Sequence, residues 1–359
     1  MSVPPAAALS DTDRALLRDS VRDFLGRHWP ADGAVERSHN AEALLAIWWG
    51  LAGQGLASLG GDTEELGLRE TLLVFEELGR AACPAPLLGA VAANLALAAC
   101  RSNETRALLD DLHRGTATIA LALGTFDGDP AAGQAAMRDG MLSGTIAFVE
   151  SAQTATHLLV CTAAPASVAI VATGATGLTI KPTPGLAVPP LAELSFDNTP
   201  AVPVEIAGEA LADIATVARL GCAARALGAA ERGFEMAVKN AKMRKQFGQL
   251  IGQFQAIQHK LADGLTRLDG ARLTLEAAAD ARDSGNPDWR VFAASALAFA
   301  GPALRTVSIE THRALGAIGY AEEHEAPRHF RRVHADLVRF GGVSRARAAL
   351  ADYVLGPAA

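Results

Sequence analysis

Lysine, cysteine and aromatic side chains are all scarce in this chain of 359 residues. Lys181, Lys239, Lys242, Lys245 and Lys260 are the whole lysine complement, so most of the 32 basic residues are arginine, set against 39 acidic ones. A net charge of -7 with so little lysine leaves no broad basic face, which argues against nucleic acid as a partner. The four cysteines, Cys83, Cys100, Cys161 and Cys222, form no CxxC pair and are too dispersed for a disulfide framework or a zinc knuckle. They read as buried thiols of a protein from a reducing compartment, the cytoplasm. Aromatics make up only 5% of the residues, yet half are hydrophobic, which excludes intrinsic disorder and supplies apolar mass for roughly two or three domains. Long apolar runs are missing too. Residues 86–99 are Ala-rich and too short to span a bilayer, and residues 1–13 lack the basic and apolar regions of a signal peptide. A soluble protein with no membrane partner is expected.

Several catalytic motifs are also missing. No GxGxxG follows a strand-like run and no P-loop string occurs, so a Rossmann or P-loop nucleotide site has no support. Without a Gly-x-Ser-x-Gly elbow, serine hydrolase chemistry has no anchor. The string from His324 to His329 has the composition of a zinc-protease helix, but its histidines are five apart and Pro327 interrupts it. A solvated loop and a helix start are expected there, with no metal.

What is present divides the chain by texture into an α+β multidomain protein. Residues 1–115 form an N-terminal α-helical domain. Ser10 and Asp13 make a capping-box variant, Leu17, Val21, Phe24 and Leu25 recur at helical spacing, and further helices are expected near 41–52 and 65–82. Residues 116–207 carry short apolar runs separated by Gly, Pro, Asp and Asn, which predicts a central antiparallel β-domain. The Pro-rich stretches at 182–190 and 200–203 exclude a central strand there. Residues 208–359 are periodic over about 209–241, 253–283, 288–315 and 327–355, which predicts a C-terminal four-helix bundle.

One stretch concentrates charge: Lys239, Lys242, Arg244 and Lys245, followed by Gln246, Phe247 and Gly248. Two readings are open. Cations at the end of a helix offset its dipole and need no ligand. Alternatively, an Arg fork followed by Gln, an aromatic and Gly makes a site for a phosphate-bearing cofactor.

The run from Arg244 through Gln246, Phe247, Gly248, Ile251 and Gln255 to Leu261-Ala262-Asp263 resembles the R-x-x-F-G…Q…LAD segment of the acyl-CoA dehydrogenase family. Phe75-Glu76-Glu77-Leu78-Gly79-Arg80 with Pro84 and Pro86 is similar to that family's first domain. Leu142-Ser143-Gly144 and Leu194-Ser195-Phe196-Asp197 are similar to its β-domain, and Leu315 to Tyr320 followed by Glu322 to its Gly-rich turn. The resemblance implies the acyl-CoA dehydrogenase fold, FAD as cofactor and an acyl-CoA substrate. It further implies that Arg244, Gln246, Phe247, Ile251, Gln255 and Gly316 reach across to the FAD of a neighbouring subunit.

Other positions depart from the family's pattern. The reaction takes an α-proton onto a Glu while flavin accepts hydride, and that Glu stands either in a Tyr-Glu-Gly-Thr string or before Arg-Leu in the first bundle helix. Here those places hold Gly341 and Ala218, so no residue is assigned as catalytic. The family's Thr-Glu-Pro…Gly-Ser-Asp loop has no counterpart after Gly124. Its Trp-Ile-Thr reads Phe148-Val149-Glu150, and Arg313 replaces the Gln of the Gly-rich turn. Losses fall on the subunit's own flavin pocket, while cross-subunit residues persist. The chain therefore resembles the non-catalytic subunit of actinobacterial heteromeric (α2β2) steroid acyl-CoA dehydrogenases, whose partner subunit carries the catalytic Glu. Two alternatives stay open: a self-sufficient flavoprotein of this fold, monooxygenase-like or with a relocated base, and a flavin-free structural homologue. Glu150, Glu231 and Glu235 are the carboxylates to examine for a displaced base, the last two being expected on an exposed helix face.

Overall fold

The computed structural model describes residues 9–61, 66–98, 100, 102–123, 135–163, 166–183, 185, 190–206 and 208–356. Among these residues six α-helices come first: α1 (Asp11–His28), α2 (Ala34–Ser38), α3 (Ala41–Gly53), α4 (Leu68–Arg80), α5 (Leu87–Leu97) and α6 (Asn103–His113). Ser10 caps α1 as its spacing predicts, its hydroxyl accepting from the Asp13 N–H at 3.2 Å. Helix α5 gave no periodic signal because it is buried on nearly every side and needs no polar face.

Eight strands follow among the described residues: β1 (Ile119–Leu123), β2 (Ala136–Arg138), β3 (Met141–Glu150), β4 (His157–Ala163), β5 (Ala166–Ala172), β6 (Leu178–Thr183), β7 (Leu191–Pro200) and β8 (Val202–Val204). They make two four-stranded sheets, ordered β1-β4-β5-β8 and β2-β3-β7-β6. The expected antiparallel arrangement is corrected at one pair. β1 lies parallel to β4, Ile119 opposite His157, because the chain leaves for the other sheet and returns between them. Pro182 and Pro203 fall on the edge strands β6 and β8, where a missing N–H costs no ladder bond, but Pro200 departs from the expectation by ending the central strand β7, opposite Met141.

Alternation places β1 and β4 between two cores. Ala120, Ala122, Leu158 and Val160 join Leu142, Ile146, Leu194 and Phe196 between the sheets. Ile119, Leu121, Leu123, Leu159 and Cys161 face the other way, into a core shared with the N-terminal and C-terminal helices. The β-sandwich is thereby pressed against the helical layers rather than tethered to them.

The bundle opens with α7 (Gly208–Met243), 36 residues and so about 54 Å long. It crosses α4 where Gly79 and Gly228 face each other's backbones: a Cβ on Gly79 would lie 1.9 Å from the Arg225 carbonyl, and one on Gly228 1.8 Å from the Glu76 carbonyl. Only hydrogen fits in either place. Then come the two-residue strands β9 (Lys245–Gln246) and β10 (Gln249–Leu250), α8 (Gln255–Asp283) and α9 (Trp289–Leu315). By length and composition α9 could cross a bilayer, but 56% of its apolar window is buried inside the protein, as in a core helix. The fourth expected helix is two, α10 (Ala326–Val338) and α11 (Gly342–Leu355). Between them Phe340, Gly341 and Gly342 all have positive φ, at 53, 81 and 46°. The Gly pair permits this turn, and the Arg219 Nε–H donates to the Phe340 carbonyl at 2.7 Å to hold it.

Candidate functional site

The six residues singled out in the sequence converge on one corner of the bundle. At the end of α7 the Arg244 N–H still donates to the Asn240 carbonyl, at 2.9 Å. The chain then turns through the β9–β10 ribbon, in which Gln246 pairs with Gln249, and the Ile251 N–H closes the loop on the Arg244 carbonyl at 2.9 Å. The two turn residues, Phe247 and Gly248, have φ of 51 and 80°, the twist a two-residue hairpin needs. Gly takes that conformation freely, whereas Phe is strained in it by about 1–2 kcal/mol. Phe247 is nonetheless 93% exposed, resting only its edge toward Phe254 at 6.2 Å. The exposed ring adds little packing to repay that strain within the chain itself.

Arg244 is drawn toward the end of α9, where its Nη1 donates to the Leu315 carbonyl at 3.2 Å. Gly316 follows at once with φ 66 and ψ -139°, and a Cβ there would stand 3.2 Å from the same Nη1. The guanidinium and the glycine thus form one cradle, open because no side chain fills it. Ile251 is half-buried at the ribbon's base, and Gln255 is exposed as the first residue of α8. The remaining guanidinium donors of Arg244, the first-turn N–H groups of α8 and the ring of Phe247 can together hold a phosphate beside a planar group. Arg313 lies outside this cradle, exposed and paired with Glu310 at 2.5 Å.

A different arrangement surrounds Glu150. Its carboxylate, 4% exposed, receives both Arg225 Nη groups, at 2.6 and 2.9 Å, and a further hydrogen bond from Arg339 Nη1. Arg225 also donates to Asp336, from Nη2 at 2.7 Å and from Nε at 3.2 Å. Arg332, fully buried, lies 3.8 Å from Asp336 and donates to the Cys83 carbonyl at 2.9 Å. Three guanidiniums and two carboxylates are therefore packed together between β3, α7 and the α10–α11 turn. Burial alone would push Glu150 up, but the charges of Arg225 and Arg339 outweigh it and hold its carboxyl at about 2. Burial wins at Asp336, which is pushed up despite Arg225 and Arg332. A carboxylate this acidic and this enclosed makes a poor base, so Glu150 is a structural ion.

The other candidates resolve as follows. Glu231 and Glu235 are not an exposed face. Half-buried, they bridge α7 to its neighbours: Glu231 accepts from Arg272 at 2.8 Å and Glu235 from Arg80 at 2.6 Å. Gly341 caps α11 and Ala218 is buried in α7, so neither place offers a base. The loop after Gly124 lies outside the described residues. The string from His324 to His329 holds the expected loop and helix start, with Pro327 in the first turn of α10, where a missing N–H is harmless, but its helical end is not solvated: His329 is fully buried. Among the described residues no cluster suits a metal ion. Sequence reasoning missed the partners of Glu150, yet a signal existed. Arg328, Arg332 and Asp336 recur at helical spacing, a charged face that α10 turns inward, and Arg339 follows just past its end.

Residues 210–351 match the family described as acyl-CoA dehydrogenase, C-terminal domain. Over 329 residues the chain is 32% identical to acyl-CoA dehydrogenase IpdE2 of Mycobacterium tuberculosis, covering 90% of this chain and 91% of that protein. Among solved structures it is similar to a variant of the Tcur3481-Tcur3483 steroid ACAD, at 28% identity and a TM-score of 0.85 over 96% of this chain and 98% of that one. Its fold also matches the ChsE4-ChsE5 complex from Mycobacterium tuberculosis, at 24% identity and a TM-score of 0.83 over 98% and 99% of the two chains.

Proposed function

The chain belongs to the acyl-CoA dehydrogenase family, and from that premise we propose that it is the non-catalytic subunit of a heteromeric, FAD-dependent member of it. A second family member would supply the catalytic Glu and hold the flavin ring, and this chain would complete that FAD site from across the interface, in an α2β2 assembly in the cytoplasm. One asymmetry carries the reading. The corner made by Arg244, Phe247 and Gly316 is open, strained and exposed, as a surface built for a second molecule should be. The region at Glu150 is instead filled by a buried ion cluster where, by the family's pattern, this subunit's own flavin would lie. The residues present fit the phosphate-bearing half of FAD at the first place and do not fit its ring at the second.

When bound, FAD supplies the acceptor for hydride from the β-carbon of an acyl thioester. This chain's own contribution is binding. Arg244 offers a fixed donor fork to a phosphate, Gly316 lets that phosphate approach the backbone, and Phe247 packs on the cofactor while excluding water. Gln246 and Gln255 add neutral donors, and Ile251 supports the ribbon from below. With Gly341 and Ala218 at the two base positions, the chain removes no α-proton itself. The steroid named for the Tcur3481-Tcur3483 enzyme supports a bulky acyl-CoA, a steroid side-chain thioester, as the substrate of the assembled enzyme.

The test is co-expression with the partner subunit, followed by FAD titration of the complex carrying Arg244→Gln. A charge-assisted phosphate contact is worth about 1.5–3 kcal/mol, so FAD should bind about ten- to a hundredfold more weakly. Stoichiometric FAD and full dehydrogenase activity in the lone chain would sink the proposal, as would unchanged FAD affinity in the variant complex.

A further inference from the structure

Four rings stand in a column at the end of α9. Tyr320 meets His312 edge-on at 5.5 Å, His312 lies 4.4 Å from Phe330, and Phe330 lies 4.2 Å from His334. The last two belong to α10 and are half-buried, whereas His312 is buried in the last turn of α9. The column therefore joins the two helices and carries the turn Gly316–Tyr320 on its outer end. That turn folds directly onto the buried ring: a Cβ on Gly319 would stand 3.3 Å from the His312 carbonyl and 3.5 Å from its Cδ2. The first residue of the turn is the glycine of the Arg244 cradle, one helical turn after His312.

Two of the four rings can take a charge, and their surroundings are set against it. Burial pushes His312 down from its ordinary value, outweighing the nearby backbone of Ser308 and Gly319, and the charges of His334 and His324 push the same way. His334 is pushed down by burial and by Arg305, and its Nε2 has no hydrogen-bond partner among the described residues. The carboxylates on the surrounding elements are engaged or turned to solvent. Glu310 of α9 pairs with Lys260 of α8 at 2.7 Å and with Arg313 at 2.5 Å. Glu322 pairs with Arg331, and Glu323 is exposed. Glu325 pairs with Arg232 of α7 and Arg328 of α10, with His329 3.7 Å away, and Asp336 is held by Arg225. Arg244, at the end of α7, adds one more cation beside the turn.

We propose that this column is an acid-sensitive clasp: protonation of His312 and His334 breaks the stack, releases the turn Gly316–Tyr320 and so dismantles the cradle at Arg244. The closed column keeps both rings neutral, whereas an open turn returns them to water and to their ordinary value of 6.5. The closed form is therefore favoured in full above pH 6.5. It loses ground as the pH falls below that value, by up to about tenfold per pH unit for each histidine. Release of a ligand from the cradle rests on the reading of that corner as a cofactor site, and the opening of the turn does not.

Hydrogen exchange of the purified full-length chain, followed by mass spectrometry, tests the clasp without any ligand. Between about pH 7.5 and about pH 5.5 the protection of residues 314–321, corrected for the intrinsic rate, should fall at least about tenfold. The fall should survive His329→Leu, which removes another buried histidine. It should vanish in the double change His312→Phe with His334→Phe, which keeps four rings and removes both charges. Protection that stays level in the parent, a fall that His329→Leu abolishes, or one that persists in the double variant overturns the clasp. Should the double variant fail to fold, imidazole proton resonances of the parent decide: both rings should titrate below 6.5, and ordinary titration of either overturns the proposal. For the cradle, FAD affinity of the complex with the partner subunit should weaken over the same pH range in the parent and not in the double variant. Equal weakening in both overturns the link between clasp and cradle. Affinity indifferent to Arg244→Gln refutes instead the reading of the corner as a cofactor site.

Discussion

Replacing Glu150 with Gln removes one charge and almost no volume, so its cost reads the buried ion cluster directly. The parent carboxylate answers Arg225 through two hydrogen bonds and Arg339 through a third. In Glu150→Gln, three buried guanidiniums would be left with Asp336 alone. Breaking a buried pair by removing one partner costs about 3–5 kcal/mol, because the surviving charge is stranded. Proton linkage gives an independent figure. A carboxyl lowered from 4.5 to about 2 by folding contributes about 3 kcal/mol. Because the folded pKa is the lower one, that contribution is complete above pH 4.5 and is lost as the pH falls toward 2. Urea denaturation of the lone chain at pH 7 should therefore show a loss of about 3 kcal/mol in the variant, with its stability falling less steeply than the parent's below pH 4.5. Adding Arg225→Gln should recover part of the loss, since the two positions are coupled. A variant within about 1 kcal/mol of the parent at pH 7 would refute the view that this cluster is a pillar of the fold.

Phe247→Gly should leave the lone chain as stable or up to about 1 kcal/mol more stable, since it relieves a left-handed aromatic, while FAD retention by the assembled complex falls. Unchanged retention would mean that the exposed ring serves another purpose. Gly79→Ala places a methyl 1.9 Å from the Arg225 carbonyl and should cost about 1–3 kcal/mol or more in urea denaturation, non-additively with Glu150→Gln. His329 is held near 4 by burial, so the unfolded chain takes up a proton near pH 6.5 that the native one refuses. Stability should fall by about 3 kcal/mol as pH drops from 6.5 to 4, and His329→Leu should flatten that slope. A parent whose stability is constant over that range would contradict the assignment.

How far the sequence spoke depended on the range of the interaction. Helices α1, α3, α4, α7, α8 and α9 were legible because their signal lies within a few turns: Ser10 with Asp13, or Leu72, Phe75 and Leu78 at helical spacing in α4. The parallel pairing of β1 and β4 was not, since it depends on which sheet the intervening chain joins. The split between α10 and α11 was half legible. Gly341 and Gly342 announce a weak point, but the Arg219 side chain that holds the turn lies 121 residues away. At the candidate site, the stretch from Arg244 to Gln255 was readable as a contiguous string. Its closeness to Gly316 came from the resemblance, and the cluster around Glu150 stayed hidden because its partners lie 75 and 189 residues off.

That last separation bears on how the protein is made and how it can evolve. Strand β3 leaves the ribosome with the Glu150 charge unanswered, and the second of its guanidiniums, Arg339, is synthesised 189 residues later. The sandwich cannot bury that carboxylate until the chain is almost complete, so its final docking waits on α7 and the α10–α11 turn. For the same reason neither module can be exchanged for a relative's on its own. A transplanted sandwich without a carboxylate at this position, or a transplanted bundle without its arginines, would inherit half of a charge balance and fail as a graft.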